Sequence, residues 1–290
     1  FAPCLCAGME QGYDERGSKT GTRLPLNRGM RNACNTYFLS DLHLGAAYDK
    51  GSRDRERRAV AFLDSIKHKA KAVYLLGDIL DYWYEYRYVV PRGFVRLFGK
   101  LAELSDEGVE ITWLTGNHDI WIFDYLPTEL GIRVVDSSLA VTINGSDFYL
   151  AHGDRTGCDS RWFCIMQKLF RNKFCQRLYA SLNPRWTIPF ALRWSASSRQ
   201  KPQLSDNDER SAAALLRLEN FCKGYLADHP LTRYFLFGHL HIMARRSLGK
   251  ESEMIVLGDW LKHFSYAVFD GHSLSLHSFH PSADTTSQLQ

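Results

Sequence analysis

The chain has 290 residues, 45% of them hydrophobic, and a formal net charge of +4, enough for one large domain or one domain carrying a sizeable insertion. No apolar run approaches the roughly 18 residues that span a bilayer, and so mild a net charge does not by itself call for nucleic acid. Seven cysteines, odd in number, irregularly spaced and without a C-x-x-C pair, read as the reduced thiols of a cytosolic protein rather than a disulfide framework.

Residues 1–34 mix Gly, Arg and Asn without periodicity and lack the basic-then-apolar order of a signal peptide. They are expected to be a disordered extension, with Met30 as the expected start. From Thr36 strands and helices alternate. Tyr37 to Leu39 reads as a short strand, and Ala59, Phe62, Leu63 and Ile66 share one face of a helix over about Asp54 to Ala70. Val73 to Leu76 is a buried strand; Phe94, Leu97, Phe98 and Leu101 mark a helix closed by Glu107-Gly108; Ile111 to Leu114 is the next strand. Strands then follow at Ile132 to Val135, Leu139 to Ile143 and Phe148 to Ala151, with Asn144-Gly145 as a hairpin turn. A helix from about Asp206 to Ala227, N-capped by Ser205, leads to strands at Tyr234 to Phe237, Met254 to Leu257, Tyr266 to Phe269 and Leu274 to Leu276. A β-rich half after a βαβ half predicts an α/β fold of two mixed sheets packed face to face with helices outside. The domain is placed at 35–280, with a helical insertion at about 158–204 and a frayed tail at 281–290.

Five short polar clusters directly follow apolar runs: Asp41-Leu42-His43, Gly77-Asp78, Gly116-Asn117-His118-Asp119, His152-Gly153-Asp154 and Gly238-His239-Leu240-His241. Strand C-terminal ends are where α/β folds present their chemistry. An isolated D-x-H or G-D is structural more often than not; five in order, each after a strand, point to one site. Asp41, His43, Asp78, Asn117, His152, His239 and His241 offer oxygen and nitrogen donors and no thiolate, which suits two closely spaced divalent cations of the Mn, Fe, Zn or Co type better than Ca or Mg. Residues two apart on extended backbone point to the same side, so Asp41 with His43, and His239 with His241, are expected to meet one metal each way. The Asp78 carboxylate has two oxygens and can bridge two cations, whereas Asn117 adds a neutral carbonyl.

His118 has no partner two residues away and is the candidate to protonate a leaving oxygen or steady a phosphate; the alternative is a hydrogen bonder behind the ligands. Asp119 and Asp154 are candidates for orienting His118 or a ligand by accepting an N–H, or for capping a loop. Two cations about 3.5–4 Å apart activate water and clamp phosphoryl oxygens, so the natural substrate is a phosphate ester or anhydride. Neither a Walker A loop nor G-x-S-x-G is present.

These blocks resemble the calcineurin-like metallophosphoesterases, whose pattern runs D-x-H, G-D, G-N-H-[DE], H and G-H-x-H, and the resemblance covers Asp41 to His241. It implies a four-layer αββα sandwich. It also implies one metal held by Asp41, His43, Asp78 and His241, and another by Asp78, Asn117, His152 and His239. Within that superfamily the chain looks most like the UDP-2,3-diacylglucosamine diphosphatases of lipid A biosynthesis. The carrying features are Phe38 to Gly45, His152-Gly153-Asp154 followed by Cys158-Asp159, Val256 to Trp260, and a helical insertion before G-H-x-H. The best-known branch has Arg directly after the ligand Asn, whereas this chain has His118, as in the wider superfamily. The resemblance implies cleavage of a pyrophosphate to UMP and 2,3-diacylglucosamine 1-phosphate, with two divalent cations, manganese expected.

Between Arg155 and Lys201, ten Lys or Arg residues accompany a single acid, Asp159, and interleave with Trp162, Phe163, Ile165, Met166, Leu169, Phe170, Phe174, Leu178, Tyr179, Trp186, Ile188, Phe190, Leu192 and Trp194. A basic face beside an aromatic one suits a helix at a membrane interface or a lid over acyl chains; an ordinary helical hairpin on the core is the plainer reading. Arg155, Ser195, Ser198, Arg199 and Lys201 are the candidate headgroup contacts. Tyr82, Trp83, Tyr84, Tyr86 and Tyr88 either wall the mouth of the site or pack as a loop. The expected partners are a lipid-linked nucleotide-sugar and, peripherally, the cytoplasmic face of the inner membrane; nucleic acid and an obligate protein partner are not expected. Two other functions remain open: a phosphodiesterase acting on soluble nucleotides or single strands, and a non-catalytic membrane scaffold, which would have no need of seven metal ligands.

Overall fold

β1 (Asn35–Leu39), β2 (Ala70–Leu76) and β3 (Glu110–Leu114) run parallel, joined by the crossover helices α1 (Ser52–Ile66) and α2 (Val95–Asp106). The computed structural model describes residues 34–46, 51–156, 161–198, 208–249 and 251–280, all within one unit, Arg31–Gln290. A short helix α3 (Tyr125–Leu130), which the sequence reading missed, leads to β4 (Arg133–Val135), parallel to β3. β5 (Ser138–Ile143) and β6 (Ser146–Ala151) form the predicted hairpin, with Asn144 and Gly145 both at positive φ. The insertion supplies α4 (Arg161–Arg171), α5 (Lys173–Ala180) and α6 (Pro184–Ser198). Then come α7 (Glu209–Asp228), β7 (Thr232–Phe237), β8 (Met243–Ser247), β9 (Glu253–Leu257), β10 (Ser265–Phe269) and β11 (Leu274–Ser278).

The strands form a six-stranded sheet, β11-β10-β1-β2-β3-β4, and a five-stranded sheet, β5-β6-β7-β9-β8. Both mix parallel and antiparallel pairs. Alternation along each strand assigns its two faces. Phe38, Tyr74, Leu76 and Leu114 meet Phe148, Leu150, Tyr234, Leu236, Ile255 and Leu257 between the sheets. The intervening Tyr37, Leu39, Val73 and Leu75 pack outward on Phe62, Leu63, Leu97 and Leu101 of α1 and α2. On the far side Tyr149, Phe235 and Phe237 pack on Leu215, Leu218 and Cys222 of α7. The order helix, sheet, sheet, helix is the expected four-layer sandwich.

Two local expectations are corrected. The described helix α7 begins at Glu209 with Asp208 as its N-cap, whose carboxylate accepts from Arg210 N at 3.1 Å; Ser205 lies outside the described residues. β8 was not predicted, because its Arg245, Arg246 and Ser247 are exposed on a sheet edge and carry no apolar alternation. No helix among the described residues is long and apolar enough to cross a membrane.

Candidate metal centre

Five strands, β1, β2, β3, β6 and β7, end at one rim of the sandwich and deliver the seven predicted ligands there. Backbone hydrogen bonds lace the loops together: Asp41 N donates to Gly77 O at 3.1 Å, His43 N to Asp78 O at 2.9 Å and Gly238 N to His152 O at 2.9 Å. The loops approach so closely that two glycines are obligatory. A Cβ on Gly116 would overlap the Asp78 carboxylate, and one on Gly238 would overlap Ser40 Oγ and the Asp41 carboxylate.

Asp41 and His43 do turn to one group, but His241 joins them while His239 joins Asp78 and His152. The second pair thus divides between two groups, against the expectation from its spacing, and the backbone that aims them also differs from the expectation. Asp41, His43, Asp78, His239 and His241 all have φ between 43° and 65°, the left-handed region that non-glycine residues seldom occupy. They lie beyond the strand ends, in tight loops, and it is the left-handed turn rather than extended alternation that aims each pair inward. Strain of this kind persists where the surroundings over-determine it, and here the interlocked loops do so.

Asp41 Oδ1 lies 3.4 Å from His43 Nε2 and 3.4 Å from His241 Nε2, and those two nitrogens are 3.2 Å apart. Asp78 Oδ2 lies 3.2 Å from His152 Nε2 and 3.8 Å from His43 Nε2, so one carboxylate faces both groups. Asn117 Oδ1 stands 3.3 Å from His152 Nε2, and His239 joins Asp78 and His152 in a set able to hold an ion. Asp41, His43, Asp78 and His152 are each at most 2% exposed.

The donors fit a pair of cations. Asp41 Oδ1 is buried and accepts no well-formed hydrogen bond, although buried oxygens are rarely left so. His43 Nδ1 is 3.3 Å from the Asp81 carboxylate, His241 Nδ1 is 3.2 Å from Asp259 Oδ2, and His152 Nδ1 donates to Leu76 O at 2.8 Å. The rings of His241 and His152 thus spend their outer nitrogens on hydrogen-bond acceptors, that of His43 turns its outer nitrogen to a carboxylate, and Nε2 faces the centre in all three, as in metal-bound imidazoles.

Charge runs the same way. Burial alone would raise the pKa of Asp41, but the imidazoles of His241, His43 and His152 hold it well below the usual carboxylate range. Burial likewise opposes ionisation of Asp78, and His152 and His118 overcome it. Burial disfavours a charged His152, yet Asp78 beside it raises its pKa well above the ordinary value. Burial, then His152, pushes His239 down to about 4, leaving a neutral imidazole. The negative field that raises the pKa of His152 also favours a cation in the proton's place.

Of the other predicted residues, His118 stands at the edge, its Nε2 4.0 Å from Asp78 Oδ2 and its backbone N–H donating to Asp78 Oδ1 at 2.9 Å. Asp119 accepts from Gly116 N, Ile79 N and the Trp113 indole at 2.7–3.1 Å, so it ties the Asp78 and Asn117 loops together. Burial and the Asp78 charge raise its pKa to about 6, against the lowering by those backbone donors. Asp154 accepts from Gln167 of α4 at 3.0 Å. Arg155 is exposed, Ser195 is buried, and Ser198 ends α6; Arg199 and Lys201 lie outside the described residues. Sequence reasoning missed Asp81 and Asp259. The first sits three residues after Asp78 in the same loop, and the second lies in Gly258-Asp259-Trp260, a block noticed for its resemblance but given no role.

The aromatic run beyond Asp78 docks the insertion rather than lining an open mouth. Trp83 is fully buried in the core under α2. Tyr82 Oη is 3.1 Å from Tyr179 Oη, Tyr84 donates to Gln176 O at 2.5 Å, Tyr86 Oη meets Thr187 Oγ1 at 2.5 Å, and the Trp121 indole donates to Phe170 O at 2.9 Å. Tyr88 is left exposed.

Comparison with known proteins matches residues 35–243 to the calcineurin-like phosphoesterase family. A UDP-2,3-diacylglucosamine hydrolase of Porphyromonas gingivalis is 44% identical over 252 residues, 83% of this chain and 96% of that protein. One of Nitrosococcus oceani is 26% identical over 233 residues, 78% and 87% of the two chains. Among solved structures, a dimetal phosphatase from Danio rerio aligns with TM-score 0.38 and 15% identity, covering 81% of this chain and 91% of that one.

Proposed function

The chain belongs to the calcineurin-like phosphoesterase family, and from that premise we propose that it hydrolyses the pyrophosphate of UDP-2,3-diacylglucosamine in lipid A biosynthesis. One water is added across the P–O–P linkage, giving UMP and 2,3-diacylglucosamine 1-phosphate. The substrate follows the Porphyromonas gingivalis relative; the observation that carries the chemistry is Asp78, one carboxylate facing His152 at 3.2 Å and His43 at 3.8 Å.

In this reading Asp41, His43, Asp78 and His241 hold one divalent cation and Asp78, Asn117, His152 and His239 the other, with manganese as the metal. When bound, the pair supplies the Lewis acidity that neutralises phosphoryl charge and makes a nucleophile of water at neutral pH. His118 donates its Nδ1 proton to Asp81 O at 2.9 Å, which leaves Nε2 on the substrate side. As the imidazolium, with a second proton on Nε2, the ring hands that proton to the leaving phosphate oxygen and returns to the neutral Nδ1–H form. Arg155, Arg199 and Lys201 contribute cations for the diphosphate. Exposed Phe174, Leu178, Trp186, Phe190 and Trp194 on the insertion favour a lipid substrate over a soluble nucleotide, and support peripheral association with the cytoplasmic face of the inner membrane.

The test is UMP release from detergent-dispersed UDP-2,3-diacylglucosamine by protein purified with Mn, beside Asp78→Ala. Release that vanishes with the substitution supports the proposal; release that survives it removes the metal-dependent chemistry. If neither protein releases UMP while the unsubstituted chain still cleaves bis(p-nitrophenyl) phosphate, the substrate is wrong and the general phosphodiesterase reading takes its place.

A further inference from the structure

We propose that Asp81 and Ser195 are positioning residues which latch helix α6 of the insertion onto the centre and fix the ring of His118. Asp81 is 1% exposed and sits in the loop after β2. Its three oxygens face three different partners. Oδ1 is 3.3 Å from His43 Nδ1, Oδ2 accepts from Ser195 Oγ at 2.7 Å, and the carbonyl accepts from His118 Nδ1 at 2.9 Å. Ser195 Oγ also lies 3.3 Å from His118 Nδ1.

Valence fixes the direction of these bonds. A carbonyl oxygen carries no hydrogen, so His118 Nδ1 must carry one. Ser195 has a single hydroxyl hydrogen, and the shorter contact assigns it to Asp81 Oδ2. The hydroxyl oxygen therefore turns a lone pair to His118 Nδ1–H, and a chain runs from His118 through Ser195 to Asp81. His43, Asp81 and His118 are also close enough to suggest a third cation. The proton on His118 Nδ1 takes that nitrogen out of such a ligand set, and the Asp81 carbonyl and the Ser195 hydroxyl hold it in a hydrogen-bonded frame instead.

The link joins residues 114 apart in sequence and couples two events. When α6 is seated, His118 has its second acceptor and Asp81 its hydroxyl donor; when α6 leaves, a buried carboxylate oxygen loses a donor and the His118 ring gains freedom to rotate. Thr187, also buried and eight residues earlier on α6, is held separately by Tyr86, so losing the Ser195 hydroxyl alone leaves the helix attached. The functional part of this inference rests on the proposed hydrolase reading; the latch itself does not.

The test compares the full chain loaded with Mn as wild type, Ser195→Ala, Ser195→Thr and Asp81→Asn. The readouts are amide hydrogen exchange, Mn content, and kinetics on UDP-2,3-diacylglucosamine and on bis(p-nitrophenyl) phosphate. Ser195→Ala is expected to raise exchange over residues 184–198, to leave the peptides of β1 and β2 and the Mn content unchanged, and to lower kcat about tenfold at constant KM. Ser195→Thr, which keeps the hydroxyl, should restore both, and Asp81→Asn should show the same rise over 184–198. A raised KM with unchanged exchange makes Ser195 a substrate contact and overturns the latch. Exchange rising throughout the sheets, or an unchanged kcat, overturns it as well. Should wild type release no UMP, the substrate reading fails, while exchange and cleavage of the nitrophenyl ester still decide the latch.

Discussion

His241 sits between two carboxylates: its Nδ1 is 3.2 Å from Asp259 Oδ2 and its Nε2 is 3.4 Å from Asp41 Oδ1. Burial works against a charged Asp259, but the His241 contact and the N–H groups of Lys262 and His263 bring its pKa down to about 2, so the carboxylate is ionised at any working pH. An anion behind an imidazole fixes its tautomer and strengthens it as a ligand. Asp259→Asn keeps an oxygen for the N–H groups of Leu261, Lys262 and His263, which Asp259 Oδ1 now accepts, but removes the charge. We expect a correctly folded protein whose Mn affinity falls about 10–100-fold, measured by titration against a competing chelator. Unchanged affinity would mean that Asp259 serves only the turn.

Gly238 is a second lever on the same centre. A methyl group there would occupy the space of Ser40 Oγ and Asp41 Oδ2, and Asp41 Oδ2 is held by Ser40 Oγ at 2.7 Å and His239 N at 2.8 Å. Because those contacts are short and Ser40 and Asp41 are both buried, neither side chain has room to yield. Gly238→Ala is expected to displace Asp41, with loss of about 1–3 kcal/mol of stability and loss of at least one Mn per chain. Full metal content in a protein of undiminished Tm would refute the crowding.

The layers of the fold were legible because each strand alternates between two buried faces: Phe38 turns to the partner sheet and Tyr37 to the helices. The seven candidate ligands were legible because each follows such a strand. Asp81 and Asp259 were not, nor was the part of Ser195, offered by the sequence as a headgroup contact, in holding Asp81: each acts through contacts with residues distant in sequence, and Ser195 and Asp81 stand 114 residues apart. The left-handed backbone of Asp41, His43, Asp78, His239 and His241 was hidden for another reason. Local propensity opposes it, and only the packing of five loops on one another imposes it. β8 escaped because an exposed edge strand needs no apolar face.

Stability should depend on acidity through a cluster far from the centre. Glu103 accepts from Lys100 and Lys67, each at 2.6 Å, and these contacts lower its pKa to about 2. A carboxyl depressed in the folded state stabilises it above the ordinary pKa of about 4.3, and that contribution is lost as pH falls toward 2. The pair joins α2 to the residue after α1, but it is partly solvated, so its worth is below about 1 kcal/mol. Glu103→Gln should therefore lower the urea midpoint slightly at pH 7 and not at pH 2. An equal effect at both pH values would assign the loss to packing instead of charge.

The outer face of α6 yields the last prediction. Trp186, Phe190 and Trp194 recur every four residues and so line one side of the helix, and they are 75%, 62% and 57% exposed. Thr187 and Ser195, on the other side, are both buried against the core loops. Aromatic side chains this exposed, on a helix whose inner face is polar and anchored, reverse the usual arrangement of a surface helix. If the outer face meets lipid, replacing all three aromatics by serine removes about 1 kcal/mol per side chain from the interaction. Binding to vesicles of phosphatidylglycerol and phosphatidylethanolamine should then weaken on the order of a hundredfold, with the Mn content kept. Equal sedimentation of the two proteins with vesicles would exclude this face from the membrane, whatever the substrate proves to be.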